Sequence, residues 1–355
     1  MTLGACAITH GESRIYFGTP RSNYRAKCEN SHIPIAMTKT IQEMLASADN
    51  NTQQPVQYVE TVEAYDKWAE VRSRSRFARF NCPDRWDFMI ALANGFLVQV
   101  YDTDGNFLQR LDTLEMRALL PRFLDQVMAR FVGSDQLTLV DLGCGTGRNT
   151  IQLLETLALA SPAALSNAEV VGLDASPGML DVARNAIQSA VQHKGIDYRR
   201  GVSLGVFDLL KPSSTQSLLP ASLQSSGAAG VISTLVLEHI PLKEFFEASS
   251  AIMKPGAYLL VTNMHADMGS RSQAGFTDPQ TGVKIRPTSY CHSVPDVLAA
   301  ADKAGFQLED LARQDGEDGV LERDVDDQLA DGLGARAKKW VGVRVWFGVC
   351  FSKRG

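Results

Sequence analysis

The sequence predicts an α/β fold, with a doubly wound, mostly parallel sheet of seven strands and a helical N-terminal cap. From Leu137 onward, short apolar runs alternate with segments of helical periodicity. This alternation is typical of a parallel sheet that is covered by helices on both faces. The chain has 355 residues, of which 45 % are hydrophobic, and this is enough apolar material for a large core.

The predicted core elements follow one another in a regular order. The strands are, in sequence, "LTLVDL", "AEVVGLD", "VSLGVFD", "AGVISTLVL", "GAYLLVTNM", "FQLEDLA" (306–312) and "WVGVRVWFGVCF" (340–351). The helices between them are "RNTIQLLETLALA", "GMLDVARNAIQSAVQ" and "LKEFFEASSAIM". The last strand is long and follows a polar connection, so it could insert antiparallel.

Three regions are predicted along the chain. Residues 1–55 are polar and lack sustained periodicity, which favours a poorly ordered segment. Residues 56–131 are expected to form a helical cap or lid, with a helix or a helix pair over 110–131 that is broken near Pro121. Residues 132–355 then form the main ligand-binding domain.

The charge and cysteine content argue against several classes of protein. The net charge is −5, so no general basic face and no nucleic-acid partner are expected. No apolar stretch reaches the roughly 20 residues that cross a bilayer, and the N-terminus lacks the apolar region of a signal peptide. The six cysteines are scattered, which is typical of a reduced, cytoplasmic protein. No metal site is predicted, because no HExxH or facial-triad spacing occurs.

A glycine-rich loop, "VDLGCGTGRN" (140–149), joins the first core strand to the first core helix. A strand, a tight glycine turn and a helix together bring the backbone close to a ligand. The loop has no Lys-Ser or Lys-Thr pair, so it does not match the phosphate-binding GxxxxGK[ST] pattern. The spacing of Gly143, Gly145 and Gly147 is GxGxG, which differs from the GxGxxG of dinucleotide-binding proteins.

Two acids end the next two strands. Asp174 is placed to accept both hydroxyls of a ribose, although an acid at a strand end can also be a helix N-cap. Asp208 suits the amino group of an adenine. A loop without phosphate-binding features, followed by these two acids, favours a nucleoside that carries a non-phosphate tail.

These features occur within five ordered motifs. They are "VDLGCGTGR", "VVGLDASPGMLDVAR", "VFDLL", "VISTLVLEHI" and "MKPGAYLLVTNMH". In this order the chain resembles the class I S-adenosylmethionine-dependent methyltransferases over residues 58–71 and 101–351. The resemblance implies a Rossmann-like methyltransferase domain over 132–355 with S-adenosylmethionine as cofactor. It implies these cofactor-binding residues: Asp141, Gly143, Gly145 and Gly147 at the methionine part, Asp174 at the ribose, Ala175, Met179, Phe207 and Asp208 at the adenine, and Leu235 at the cofactor floor.

Residues 71–100 interrupt the cap with a stretch that is unlike either flank. In the family, sequence like "YDKWAEV" usually runs straight into sequence like "YDTDGN", and here about thirty residues separate the two. Removing residues 71–99 rejoins the flanks in frame, and codons compatible with splice signals can be written at both ends. A retained intron and a true inserted loop both remain open.

Methyl transfer to a hydroxyl or a protonated amine is helped by a general base, and histidine is the usual choice near pH 7. His239, His265 and His292 all follow strand ends or lie in the long loop after the fifth strand. His265 is the first candidate for a base or acceptor anchor, and His292 is the second. His239 could equally shape the cofactor pocket. For each histidine a purely structural role is a competing explanation.

The sequence therefore predicts an enzyme that methylates oxygen or nitrogen of a small-molecule metabolite. Tyr58, Tyr65, Trp68 and Tyr101 could form an aromatic lid over the cofactor. The resemblance extends by analogy to secondary-metabolite biosynthesis. Two alternatives stay open: a catalytically silent subunit with the same fold, and a nicotinamide-dependent oxidoreductase.

Overall fold

The computed structural model describes residues 40, 56–69, 106–131, 133, 137–160, 168–194, 201–273, 275–278, 281–311 and 319–355. The predicted insertion at 71–100, Tyr101 and nearly all of residues 1–55 lie outside these ranges. The predictions made for those segments therefore stay predictions.

The strands and helices are numbered here in chain order. The strands are β1 Val56–Val59, β2 Leu137–Leu142, β3 Ala168–Asp174, β4 Val202–Val206, β5 Ala228–Thr234, β6 Met253–Met264, β7 Phe276–Thr277, β8 Lys284–Pro287, β9 Phe306–Glu309, β10 Val320–Asp324 and β11 Arg344–Lys353. The α-helices are α1 61–69, α2 Phe107–Arg130, α3 Arg148–Ala160, α4 Pro177–Lys194, α5 Pro212–Thr215, α6 Ala221–Ser226, α7 Leu242–Ala251, α8 Ala266–Gly269, α9 Val294–Lys303 and α10 Asp327–Leu333. Short 3₁₀ helices are Gln216–Leu218, Leu237–His239 and Ala335–Trp340.

The main sheet contains the seven predicted strands in the order β9/β11-β6-β5-β2-β3-β4. Strands β2 to β6 pair in parallel, and β11 inserts antiparallel beside β6 over Trp346–Ser352. One apolar cluster packs α2, α3 and α4 on one face of the sheet, and a second cluster packs α7 and α9 on the other. The doubly wound, mostly parallel α/β fold is therefore confirmed.

An eighth strand, β10, extends the sheet beyond the prediction. It pairs antiparallel with β11 from Val320 to Asp324. Its sequence, "VLERD", ends in three charged residues, so it carries little of the apolar signal that marks an inner strand. Charged residues on an edge strand discourage pairing with other chains. Because of these charges, β10 was not predicted from the sequence.

The cap differs from the prediction in two respects. Its first strand, β1, joins a small sheet with two strands from the chain after β6, in the order β1-β8-β7, with β1 parallel to β8 and β7 antiparallel to it. In addition, α2 continues through Pro121 as one helix of 24 residues. A proline inside a helix costs about 3 kcal/mol. Buried apolar side chains on both sides of Pro121, including Met116, Leu120 and Phe123, pack against the sheet and hold the helix together.

The packing of α2 on β5 depends on the absence of a side chain at Gly230. A Cβ there would lie 3.0 Å from side-chain atoms of Leu139, Phe123 and Val127. Gly230→Ala is expected to lower the free energy of unfolding by about 1–3 kcal/mol, because a packed core resists added volume. Urea unfolding should show this loss. Gly332→Ala is the matched control, since nothing lies within 4 Å of that position. Equal stability of the two variants would contradict the packing argument.

Candidate active site

The glycine loop between β2 and α3 is held in a conformation that favours glycine. Gly143, Gly145 and Gly147 have φ values of 75°, 53° and 83°, in the left-handed region that side chains rarely adopt. A Cβ at Gly143 would overlap the Val236 side chain, whereas a Cβ at Gly145 would meet nothing within 4 Å. The backbone at Gly145 is therefore open to a ligand.

The loop is tied to the end of β3. The amides of Gly143 and Cys144 donate to the Leu173 carbonyl at 2.7 and 2.9 Å. The amide of Gly145 donates to Asp174 Oδ2 at 2.8 Å, and the amide of Ser176 donates to Asp174 Oδ1 at 2.9 Å. Burial raises the pKa of Asp174, while these two amide donors oppose that shift. The carboxylate is thus fixed in position beside the glycine loop.

A cavity lies at the carboxyl ends of β2, β3, β4 and β5, below α1. Eight of the ten predicted cofactor residues line it: Gly143, Gly145, Asp174, Ala175, Met179, Phe207, Asp208 and Leu235. Leu235 has a φ of 56° and is the non-glycine residue with positive φ in the described part of the chain. Such strain is kept where a site needs it. The predicted residues therefore converge on one cavity.

The other two predicted cofactor residues, Asp141 and Gly147, are not among the residues that line the cavity. Asp141 is buried and accepts a 2.6 Å hydrogen bond from the Thr150 hydroxyl, while its Oδ1 has no partner. A Cβ on Gly147 would lie 3.2 Å from Ile187, so this glycine lets α3 pack close to α4. Their assignment to the cofactor stays a prediction.

The predicted adenine residues occupy different environments. Phe207 is buried and forms part of the cavity lining. Asp208 accepts a 2.9 Å hydrogen bond from the Leu210 amide with its Oδ1, and its own amide donates to Thr215 at 3.2 Å. One carboxylate oxygen of Asp208 is thus already used to shape the turn after β4.

Of the three candidate histidines, His239 is the one that lines the cavity. Its Nε2 lies 2.8 Å from the Tyr65 hydroxyl and 3.3 Å from Glu238 Oε1. Its Nδ1 lies 3.3 Å from the Thr288 carbonyl. The ring is buried and is approached edge-on by the Tyr65 ring at a centroid distance of 5.4 Å.

Neither His265 nor His292 is among the residues that line the cavity. His265 caps α8: its Nδ1 accepts from the Asp267 amide at 3.1 Å, and its Nε2 is 3.2 Å from Glu322. His292 is buried, with Nε2 3.0 Å from the Ile240 carbonyl, and burial lowers its pKa. The first two candidates from the sequence thus have structural partners, because the chain after β6 brings His265 to Glu322 on β10 and His292 to the Ile240 carbonyl.

Helix α1 covers the cavity with the predicted aromatic residues Tyr65 and Trp68, whose ring centroids are 5.7 Å apart. Asp66 anchors this helix to the start of α4. It accepts from the Ser176 hydroxyl at 2.5 Å and from the Gly178 amide at 3.2 Å. The cap is therefore tied directly to the turn that follows Asp174.

The sequence reading missed a buried carboxylate, Asp112 on α2. It is fully buried and receives hydrogen bonds from Arg148, Asn149, Thr262 and Trp346. The sequence does carry a sign of it: in "RLDTLEM" an acid occupies a position on the helix face that is otherwise apolar. Within the described ranges, no group of acidic, histidine or cysteine side chains is arranged to hold a metal ion. No helix in that part of the chain is long and apolar enough to cross a membrane.

Comparison with known proteins shows similarity to methyltransferases. A family described as "Methyltransferase domain" matches residues 134–285. An uncharacterized methyltransferase of Emericella nidulans is 47 % identical over 324 residues, which are 88 % of this chain and 99 % of that protein. Solved structures of S-adenosylmethionine-dependent methyltransferases from Clostridium acetobutylicum and Mesorhizobium loti are 13 % and 19 % identical, with TM-scores of 0.44 and 0.40. They align with 74 % and 65 % of this chain and with 100 % and 98 % of their own.

Asp174→Ala is expected to weaken binding of S-adenosylmethionine at least tenfold. Two hydroxyl–carboxylate hydrogen bonds, worth about 1.5–3 kcal/mol each, would be lost. Titration calorimetry measures the affinity. Asp181→Ala is the control, because Asp181 is exposed and pairs with Arg184 on α4. Unchanged affinity of the Asp174 variant would remove this residue from the site.

The burial of Asp141 predicts that the free energy of unfolding depends on pH. Burial raises its pKa from 3.8 to about 6, so the folded protein keeps a proton that the unfolded chain has released. The destabilising effect is absent below about pH 4, grows as the pH rises to about 6 and is complete above it. The difference corresponds to about 3 kcal/mol.

Asp141→Asn should therefore be stabilised relative to the parent protein by more at pH 8 than at pH 4. Urea unfolding at the two pH values, without cofactor, tests this, with the exposed Asp181→Asn as control. A stability difference that does not change with pH would show that Asp141 is ionised freely in the folded protein.

Proposed function

Because the chain belongs to the class I S-adenosylmethionine-dependent methyltransferase family, we propose that its acceptor is a small molecule and that the methylated atom is an oxygen or a nitrogen. S-adenosylmethionine is the cofactor. The cavity is covered by α1, and Tyr65 and Trp68 stand over it. A net charge of −5 supports a metabolite rather than a nucleic acid.

The residues at the cavity fit this cofactor. Gly145 leaves space beside the loop, and Asp174 presents a fixed carboxylate to the same cavity. When bound, the cofactor supplies an electrophilic methyl group on a sulfonium ion. The enzyme's part is to orient the acceptor and to exclude water. The aromatic faces of Tyr65 and Trp68 also suit a cationic group.

The contact between Tyr65 and His239 is the observation that carries the proposal. Donation from Nδ1–H to the Thr288 carbonyl leaves a lone pair on Nε2, which accepts from the Tyr65 hydroxyl. Burial and the nearby charges of Glu238 and Asp174 raise the pKa of Tyr65, so its hydroxyl stays protonated. In this arrangement the Nε2 lone pair of His239 lies at the cavity, beside the Tyr65 hydroxyl.

His239 can receive the acceptor's proton during methyl transfer. An acceptor hydroxyl or ammonium that reaches Nε2 gives up its proton there, directly or through the Tyr65 hydroxyl. Glu238 Oε1, at 3.3 Å, then stabilises the imidazolium. Glu238 Oε2 is buried without a hydrogen-bond partner in the described structure, so this carboxylate has capacity left for that charge.

A cytoplasmic location and a role in secondary-metabolite biosynthesis are part of the proposal. The first is supported by the scattered cysteines, and the second by family resemblance alone. Incubating the protein with a methyl-labelled donor and an extract of small metabolites tests the main proposal. A labelled small product supports it, whereas donor binding without any labelled product would favour a silent subunit.

His239→Ala is expected to lower turnover in that assay by about 10²–10⁴-fold, because a general base contributes this much, with donor affinity nearly unchanged. Tyr65→Phe should lower it less. His265→Ala and His292→Ala serve as comparisons that should retain most activity if their roles are structural. If His265→Ala alone abolished turnover, the base would be His265, as the sequence predicted.

A further inference from the structure

Three cationic side chains, Lys284, Arg286 and Lys339, have no part in the proposed reaction. Lys284 and Arg286 are two residues apart on β8, so their side chains leave the same face of the strand about 7 Å apart. Lys339 belongs to the 3₁₀ helix Ala335–Trp340 and is close enough for its charge to act on Lys284. None of the three is among the residues that line the cavity. These three residues are called the basic cluster below.

The basic cluster has no counter-ion in the part of the chain that the structure describes. Its members form no ion pair there, whereas the adjacent Lys338 pairs with Asp331 at 3.1 Å. Burial lowers the pKa of Lys284, and the charges of Arg286 and Lys339 lower it further. Like charges that are brought together without a counter-ion repel one another. An anion bound among them would remove this repulsion.

The side chain of Arg286 is held by contacts within and beside the small sheet. Tyr58 lies opposite Arg286 in the pairing of β1 with β8, and Arg286 Nη1 donates to the Tyr58 hydroxyl at 3.4 Å. Tyr58 was predicted as part of an aromatic lid, but it is not among the cavity-lining residues. A Cβ at Gly275 would lie 2.9 Å from Arg286 Cγ, so the backbone there packs against the stem. A guanidinium has five N–H donors, and its two Nη atoms therefore keep donors for an anion.

The chemistry of the basic cluster selects the kind of anion. Lysine and arginine side chains only donate hydrogen bonds, and both bind phosphate oxygens. A phosphate monoester carries about −1.5 to −2 charges at pH 7, which suits several cations better than a single carboxylate does. A nucleic acid presents a row of phosphates and favours an extended basic surface, whereas this chain has a net charge of −5. The ligand expected here is therefore a small phosphorylated molecule.

We propose that Lys284, Arg286 and Lys339 bind the phosphate group of a small metabolite. Thr288 follows β8 directly, and its carbonyl lies 3.3 Å from His239 Nδ1. Arg286 is two residues before Thr288, which is about 7 Å along an extended chain. The phosphate site thus lies on the same short segment that supports the proposed base. The phosphate belongs either to the methyl acceptor or to a separate metabolite.

Calorimetric titration with pyrophosphate tests the site. Sodium chloride keeps the ionic strength constant, and saturating S-adenosylhomocysteine occupies the cavity, which contains another cation, Arg148. Lys284→Gln combined with Arg286→Gln is expected to weaken pyrophosphate binding at least tenfold, because two of the three charges are lost. Lys338→Gln is the matched control and should change binding less than twofold, since Lys338 already pairs with Asp331.

Lys284→Arg keeps the charge and should retain pyrophosphate binding, which separates the loss of charge from a general disturbance of β8. Absence of saturable binding to the parent protein would overturn the proposal. An equal loss for the Lys338 variant would also overturn it, because general ionic attraction would then explain the binding.

A second experiment distinguishes the two sources of the phosphate and rests on the proposed function. The metabolite extract is treated with a phosphatase and is then incubated with the protein and the methyl-labelled donor. Loss of the labelled product assigns the phosphate to the acceptor, and unchanged labelling assigns it to a separate metabolite. If neither the treated nor the untreated extract gives a labelled product, the proposed methyl transfer is contradicted, whereas the pyrophosphate titration alone decides whether the phosphate site exists.

Discussion

A single buried carboxylate, that of Asp112, ties together the elements on which the site depends. A buried charge is costly unless it is paired and hydrogen-bonded, and Asp112 meets this requirement with donors from α3, β6 and β11. Removing Arg148, its counter-ion, would leave an uncompensated charge in the core. The cap helix α2 is therefore linked through one side chain to the start of α3 and to two strands of the sheet.

The glycine loop is held at both of its ends, and Asp112 holds one of them. On its β3 side, backbone amides bind the Leu173 carbonyl and the Asp174 carboxylate. On its α3 side, Arg148 and Asn149 are held through Asp112. The loop needs positive φ at its three glycines, which is a conformation of high entropic cost. Anchoring at both ends keeps it preformed, so that ligand binding does not have to order it.

The sequence predicted the sheet and most of the residues that line the cavity because those features are local. Asp174 and the glycines lie at the ends of continuous apolar strands, and parallel strands bring such ends to one edge. Asp112 and His239 were harder to assign, since their roles depend on contacts more than 30 residues apart in sequence. The charged strand β10 was missed for a different reason, because edge strands carry a weak apolar pattern.

The proposed donor-binding and acceptor-binding sides of the cavity are therefore formed by different parts of the chain. On the proposed donor side, the cavity is lined by residues at the ends of β2 and β3 and at the start of α3, which belong to the sheet and its covering helices. On the proposed acceptor side, α1 supplies Tyr65 and the segment after β8 supplies the Thr288 carbonyl to His239. Helix α1 also reaches the donor side through Asp66. A change in α1 that leaves Asp66 in place is therefore expected to affect His239 and the proposed acceptor side more than the glycine loop. A change that moved Asp66 would instead release the Ser176 hydroxyl and the Gly178 amide, which lie in the turn beside Asp174, so Asp66 is the residue through which the two sides of the cavity are connected.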